Sequence, residues 1–186
     1  MTTRRVWLRA APAAALGLLA PVARATEPPA EVRAALPEPR LQGTMRFRWL
    51  GLSIYDARLW RPGAAAPLSA DDYAGRDFAL ELIYARRLSG EGIADRSIEE
   101  MRRLDRFDEA RAEAWRAAMR AAFPDVQSGE RLVGVNRAGR GARFLHQGRP
   151  TGEVAEAEFA RLFFGIWLSP RGAEPALRAA LLGTGG

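Results

Sequence analysis

The chain has 186 residues, 28 basic against 22 acidic, 48% apolar, with one histidine and no cysteine. That is enough for one domain with one core, and it excludes disulfides, thiolate nucleophiles and Cys-ligated metals. The lone His146 rules out a His-cluster zinc site and argues against a Ser-His triad; all the basic residues are arginine, so Schiff-base lysine chemistry is excluded too.

Thr3-Arg4-Arg5-Val6-Trp7-Leu8-Arg9 reads as an export address. A mild apolar run from Ala10 to Ala20 follows, and Ala23-Arg24-Ala25 offers small residues where a signal peptidase inspects the chain. The arginine pair before Trp7-Leu8 resembles a twin-arginine signal. A general secretory signal and a retained anchor are the competing readings. The run is shorter than the roughly 20 residues of a spanning helix, and Pro12 and Pro21 interrupt it. The expected organisation is a signal over residues 1–25, a loosely ordered leader over 26–40 and one domain over 41–186, in the periplasm. Arg4, Arg5, Arg9 and Arg24 leave with the signal, so the mature protein is close to neutral and has no net electrostatic reason to hold nucleic acid.

Pro28, Pro29, Pro37 and Pro39 mark the leader. Leu41 to Leu50 and Leu52 to Trp60 read as two strands meeting near Gly51, with Phe47 and Trp49 alternating with Arg46 and Arg48. Arg61-Pro62-Gly63 breaks the pattern, Ser69 caps a short turn over Ala70–Tyr73, and Phe78, Leu80, Leu82 and Tyr84 alternate as a third strand. From Ser89 the period changes. Ile93, Met101 and Leu104 predict a helix capped by Ser89 or Asp95, and Asp108 to Phe123 a second one with an alanine stripe, ended by Pro124. Gly129 to Asn136 and Gly141 to Gln147 predict a hairpin. A short extended piece near Val154 precedes an apolar helix from Glu156 to Trp167, and Glu174 to Leu182 forms a last helix ending at Gly183. Strands and helices in blocks predict an α+β fold, an antiparallel sheet with helices packed on one face.

Three segments in this order resemble the chalcone-isomerase-like superfamily, in its exported bacterial branch. They are Gly43-Thr44-Met45-Arg46 with Ile54-Tyr55-Asp56-Ala57-Arg58-Leu59-Trp60; Leu88-Ser89-Gly90 opening a helix; and Phe123-Pro124 through Ser128-Gly129, Gln147-Gly148 and Phe163-Phe164-Gly165-Ile166-Trp167-Leu168. The resemblance implies an open-faced sandwich. It carries the family's catalytic arginine onto Arg46, with Arg48 left open as the alternative. The strand threonine falls on Tyr55, the helix tyrosine on Ile93 and the asparagine on Glu100. An isoleucine can neither donate a proton nor orient a water, so no catalytic residue is assigned.

Arginine with tyrosine is what the fatty-acid-binding members carry. Arg46 and Tyr55 are therefore the expected ligand-binding pair, with a fatty acid or similar amphipathic carboxylate as ligand, in transient contact with a membrane. No cofactor and no metal are implied. The alternatives are an isomerase or intramolecular lyase acting on another unsaturated substrate, and an interaction protein with a vestigial pocket. Trp115, Phe163, Phe164 and Trp167 read as core aromatics, and His146 as a loop-edge residue.

Replacing Arg4 and Arg5 together by lysine is expected to leave an unprocessed precursor in the cytoplasm, whereas the unaltered chain yields a mature N-terminus at Thr26. N-terminal sequencing of fractionated cells checks both; normal processing of the double variant would assign the general secretory route.

Overall fold

The computed structural model describes residues 27–172 and 174–185; the expected signal and the start at Thr26 lie outside them. Six strands form one sheet: β1 (Arg40–Trp49), β2 (Leu52–Arg61), β3 (Phe78–Tyr84), β4 (Arg131–Arg137), β5 (Gly141–His146) and β6 (Arg149–Val154). They lie in sequence order, each antiparallel to the next. Between β3 and β4 the chain makes two helices, α2 (Gly90–Leu104) and α3 (Glu109–Ala122), and after β6 two more, α4 (Ala157–Leu168) and α5 (Pro175–Leu182). The α+β architecture is the one expected.

The helix ends follow local chemistry. The Ser89 hydroxyl accepts from Gly92 N at 3.1 Å and the Asp108 carboxylate from Arg111 N at 2.7 Å, each satisfying an otherwise orphaned first-turn amide. Ser89 is thus the cap, and Asp95 lies inside the helix. Gly183, at φ 69°, closes α5 in the left-handed conformation that glycine adopts without a Cβ penalty.

The core sits between the sheet and these four helices. Trp115, Phe159, Phe164, Leu80 and Met101 are almost wholly buried there. The α4 aromatics pack edge-on to the sheet, with Phe78 and Phe164 centroids 4.9 Å apart and Phe144 and Phe163 5.1 Å apart.

The stretch expected to be loosely ordered is not. Ala30–Ala35 form a short helix, α1, on the opposite face of the sheet. Val32 and Leu36 are buried there with Trp60, Ala79, Val133, Val135 and Leu145. Arg131 Nε donates to Glu31 Oε1 at 2.8 Å and pins the helix to β4. Proline and alanine content suggested disorder, but the apolar pair at i and i+4 finds a partner only because β2, β3, β4 and β5 present apolar side chains outward. The small patch under α1 also buries Glu81, whose carboxylate accepts from Trp60 Nε1 at 2.9 Å.

Truncating Leu36 to alanine is expected to cost about 2–3 kcal/mol, measured as a drop in unfolding free energy in urea. A loss within experimental error would show that α1 does not hold to the sheet in solution.

Candidate functional site

Between strands β1 to β5 and the helices lies a cavity of about 550 Å³. Its size falls within the range of small-molecule sites. Met45, Phe47, Trp49, Leu80, Leu82, Leu132, Phe123, Phe144, Phe163 and Phe164 form its apolar walls. The polar groups are few: Tyr55, Tyr84, Ser89, Arg96, Ser97, Glu100 and the Trp167 indole all touch it.

Strand pleat decides which β1 residues reach it. Successive side chains point to opposite faces, so Met45, Phe47 and Trp49 line the cavity while Thr44, Arg46 and Arg48 face away. Directly paired residues on adjacent strands share a face: Phe47 pairs with Tyr55, and Arg46 with Asp56. Phe47 and Tyr55 stack at 5.2 Å with 24° between their planes. Arg46 makes a bidentate pair with Asp56 on the outer face, Nε to Oδ1 at 2.6 Å and Nη2 to Oδ2 at 2.9 Å. The structure therefore does not bring Arg46 and Tyr55 together, and Arg46 is no cavity residue. Arg48, the alternative, has the same parity as Arg46 and is also exposed.

Tyr55 does stand in the cavity. Trp167 Nε1 donates to its hydroxyl oxygen at 2.9 Å, which leaves the phenol proton free to be donated inward. Burial pushes its pKa well above the ordinary phenol range; the Trp167 hydrogen bond opposes this, Glu100 adds to it and Arg96 counters it. Tyr84, 6.0 Å from Tyr55 centroid to centroid, is raised by burial and then by its neighbour Tyr55.

Ile93 and Glu100, the two positions carried over from the catalytic helix residues, both reach the cavity. They stand seven residues apart on α2, two helical turns, so Arg96 and Ser97 between them lie on the same face. Ser97 is turned back on its own helix, its hydroxyl donating to Ile93 O at 2.8 Å. Arg96 is the cation of the cavity rim. Its guanidinium lies 6.0 Å over the Trp49 ring, pairs with Glu99 at 3.2 Å and pairs more closely with Glu100. Glu100 also holds Arg103 at 2.9 Å. Arg96 was missed in the sequence, where it sits in a run of mixed charge; the seven-residue spacing of Ile93 and Glu100 was the signal that points to it.

His146 lies in β5, 3.1 Å from Glu130 and away from the cavity. Trp115 is core, while Phe163, Phe164 and Trp167 are both core and cavity wall. Among the described residues no group of three or more His, Asp or Glu side chains is placed to hold a metal ion.

The buried phenols generate a test. They fold neutral with pKa values above the ordinary value of 10.0. The unfolded chain therefore ionises first as pH rises, and stability is full below about pH 10 and falls above it. Absorbance at 295 nm should show Tyr55 and Tyr84 still protonated at pH 11 while the chain remains folded. Their titration near pH 10 without unfolding would mean that the cavity is open to water at both phenols.

A family model described as chalcone isomerase-like matches residues 41–183. Among solved structures, the fatty-acid binding protein AtFAP1 of Arabidopsis thaliana is similar, with a TM-score of 0.61 and 14% identity over 78% of this chain and 87% of that one. At that identity the likeness is one of fold. No curated protein sequence matches the chain. With all but the first residue of the sheet, helices α2 to α5 and the cavity-facing positions falling inside the matched span, the chain belongs to the chalcone isomerase-like family.

Proposed function

We propose that this protein is a non-catalytic binder of an amphipathic lipid, with a fatty acid as the ligand chemistry, held in the cavity between sheet and helices. The observation that carries the reading is the make-up of that cavity: walls rich in phenylalanine, with one guanidinium, the half-exposed Arg96, and the buried phenols of Tyr55 and Tyr84 among its few polar groups. A buried acyl chain contributes roughly 0.8 kcal/mol per methylene. Its carboxylate, losing water, requires a cation and a donor; Arg96 and the Tyr55 hydroxyl supply them. The likeness in fold to a fatty-acid binding protein supports the same ligand class. Ile93 at the position of the family's catalytic tyrosine supports binding without turnover. Placement in the cell envelope rests on Arg4-Arg5 and Ala23-Arg24-Ala25 alone.

Glu100 gives the reading a sharp edge. Its carboxylate already occupies Arg96, so an incoming carboxylate must displace it. Glu100→Gln should therefore raise affinity for a fatty acid and leave affinity for the matching fatty alcohol unchanged.

Titration with saturated fatty acids of increasing length is the test, read by calorimetry. Affinity should climb with each methylene until the cavity is full. Arg96→Ala should cost roughly 1–2 kcal/mol, since the guanidinium is half exposed, and Tyr55→Phe about 1 kcal/mol. Arg46→Ala should change nothing. Cyclisation of a chalcone should proceed at its spontaneous rate. Length-independent affinity, or acceleration of the chalcone reaction, would overturn the proposal.

A further inference from the structure

Trp49, Leu50 and Leu52 are the large hydrophobic side chains exposed among the described residues, at 57%, 86% and 56%. They fall within four consecutive positions at the β1–β2 hairpin tip, Trp49-Leu50-Gly51-Leu52. Scattered singly, exposed apolar residues need no explanation; gathered on one turn they do.

The turn itself runs against local preference. Leu50 has φ 47° and Gly51 φ 79°. A two-residue hairpin loop with both central residues at positive φ favours Asn-Gly or Asp-Gly, whose polar first residue tolerates that conformation and is solvated. Here a leucine takes the strained position and projects into solvent, the opposite of what either backbone or hydration favours.

Charge around the tip has one sign left over. The side chains of Arg48 and Arg86 are exposed and form no hydrogen bond or close ion pair with a described residue, although the Arg48 charge is felt at Asp56. Arg86 belongs to the same end of the sheet, because Ala85 N donates to Ile54 O at 2.9 Å. Arg87 beside it reaches Asp125 only at 3.8 Å. The nearby Asp56 is taken by Arg46, and Glu99 and Glu100 by Arg96.

We infer that the Trp49–Leu52 hairpin tip is a bilayer-docking element, which seats the cavity rim on an anionic lipid surface. Leucines at the apex enter the acyl boundary, Trp49 sits at headgroup depth, and Arg48 and Arg86 meet lipid phosphates. Trp49 joins the two functions, since the face of its side chain turned from solvent lines the cavity. Three side chains fall well short of the roughly 800 Å² per partner of a stable protein interface, whereas a shallow lipid wedge needs no more. No helix among the described residues is long and apolar enough to cross a membrane, so attachment through this tip would be peripheral and reversible. The inference rests on the lipid-binding reading for its purpose, not for its geometry.

The chain has no cysteine, so single labelling sites are clean. In the full-length chain, Leu50→Cys carrying an environment-sensitive fluorophore is mixed with phosphatidylcholine vesicles containing about one-third phosphatidylglycerol. Its emission should shift to the blue, and the shift should shrink in high salt. The same label at Arg140→Cys, on the β4–β5 turn at the other end of the sheet, should not respond. In flotation of unlabelled protein, Leu50→Asp with Leu52→Asp should lower vesicle partitioning at least about tenfold while fatty-acid affinity in vesicle-free buffer stays unchanged. The contribution of residues 1–26 is common to all variants. No shift at position 50, an equal shift at 140, or a shift that needs only higher protein concentration and so reports pairing of copies, would overturn the inference. A chain that floats through its tip but binds no fatty acid would uphold docking and sink the cavity reading alone.

Discussion

A pleated strand can offer each side chain to one face only, and this single restriction sorts β1 and β2 into a protein with an inside and an outside. Met45, Phe47 and Trp49 go to the helix side with Tyr55 opposite Phe47; Arg46 goes to the other side opposite Asp56. A slip of one residue would exchange the two sets and bury guanidinium groups against phenylalanines. The Arg46–Asp56 pair is exposed and contributes little to stability, but it suits the register that the apolar face demands. The cavity, its aromatic lining and the rim all inherit their positions from that register.

The cavity is kept open by a balance of bulk. Glycine at position 134 admits the Phe164 ring against β4, where a Cβ would meet it at 3.0 Å. The α4 rings can then pack down on the sheet over part of their length, leaving the unfilled volume toward α2. Its largely apolar walls offer water few hydrogen-bond partners, which suits the proposed acyl ligand. The polar groups are few, and Arg96 and Glu100 stand paired on α2. Tyr55 is oriented by Trp167 rather than by a ligand; that bond holds the ring in place and costs no rearrangement when a head group arrives.

Much of the architecture was legible in residue order. Period-two alternation at Phe47–Trp49 and Phe78–Tyr84, Ser89 as one of two candidate caps, the start of a second helix at Asp108, the stop at Pro124 and the glycine at 183 all mark elements found in the fold. Helix α1 was not legible, because its two apolar residues acquire meaning only from side chains on four strands distant in sequence. The site was half legible. Tyr55 reaches the cavity, as do Ile93 and Glu100 at the positions carried over from the catalytic helix residues, but Arg46 was carried over by position against the alternation of its own strand. Its nearest apolar neighbours, Met45 and Phe47, already had the inward parity. Arg96 needed the helix face defined by Ile93 and Glu100, a relation that becomes visible once both are known to point the same way.

The first strand and the last helix are joined across nearly the whole domain. Gln42 Nε2 donates to Leu68 O at 2.8 Å and to Leu182 O at 3.0 Å, and a Cβ at Gly43 would fall 2.3 Å from the carbonyl oxygens of Ala180 and Leu181. The edge of β1 thus acquires its cover last. On a ribosome, β1 emerges well before α5, and its edge stays uncovered until α5 has cleared the exit tunnel. A chain interrupted before α5 would leave that strand edge open to chaperones and proteases.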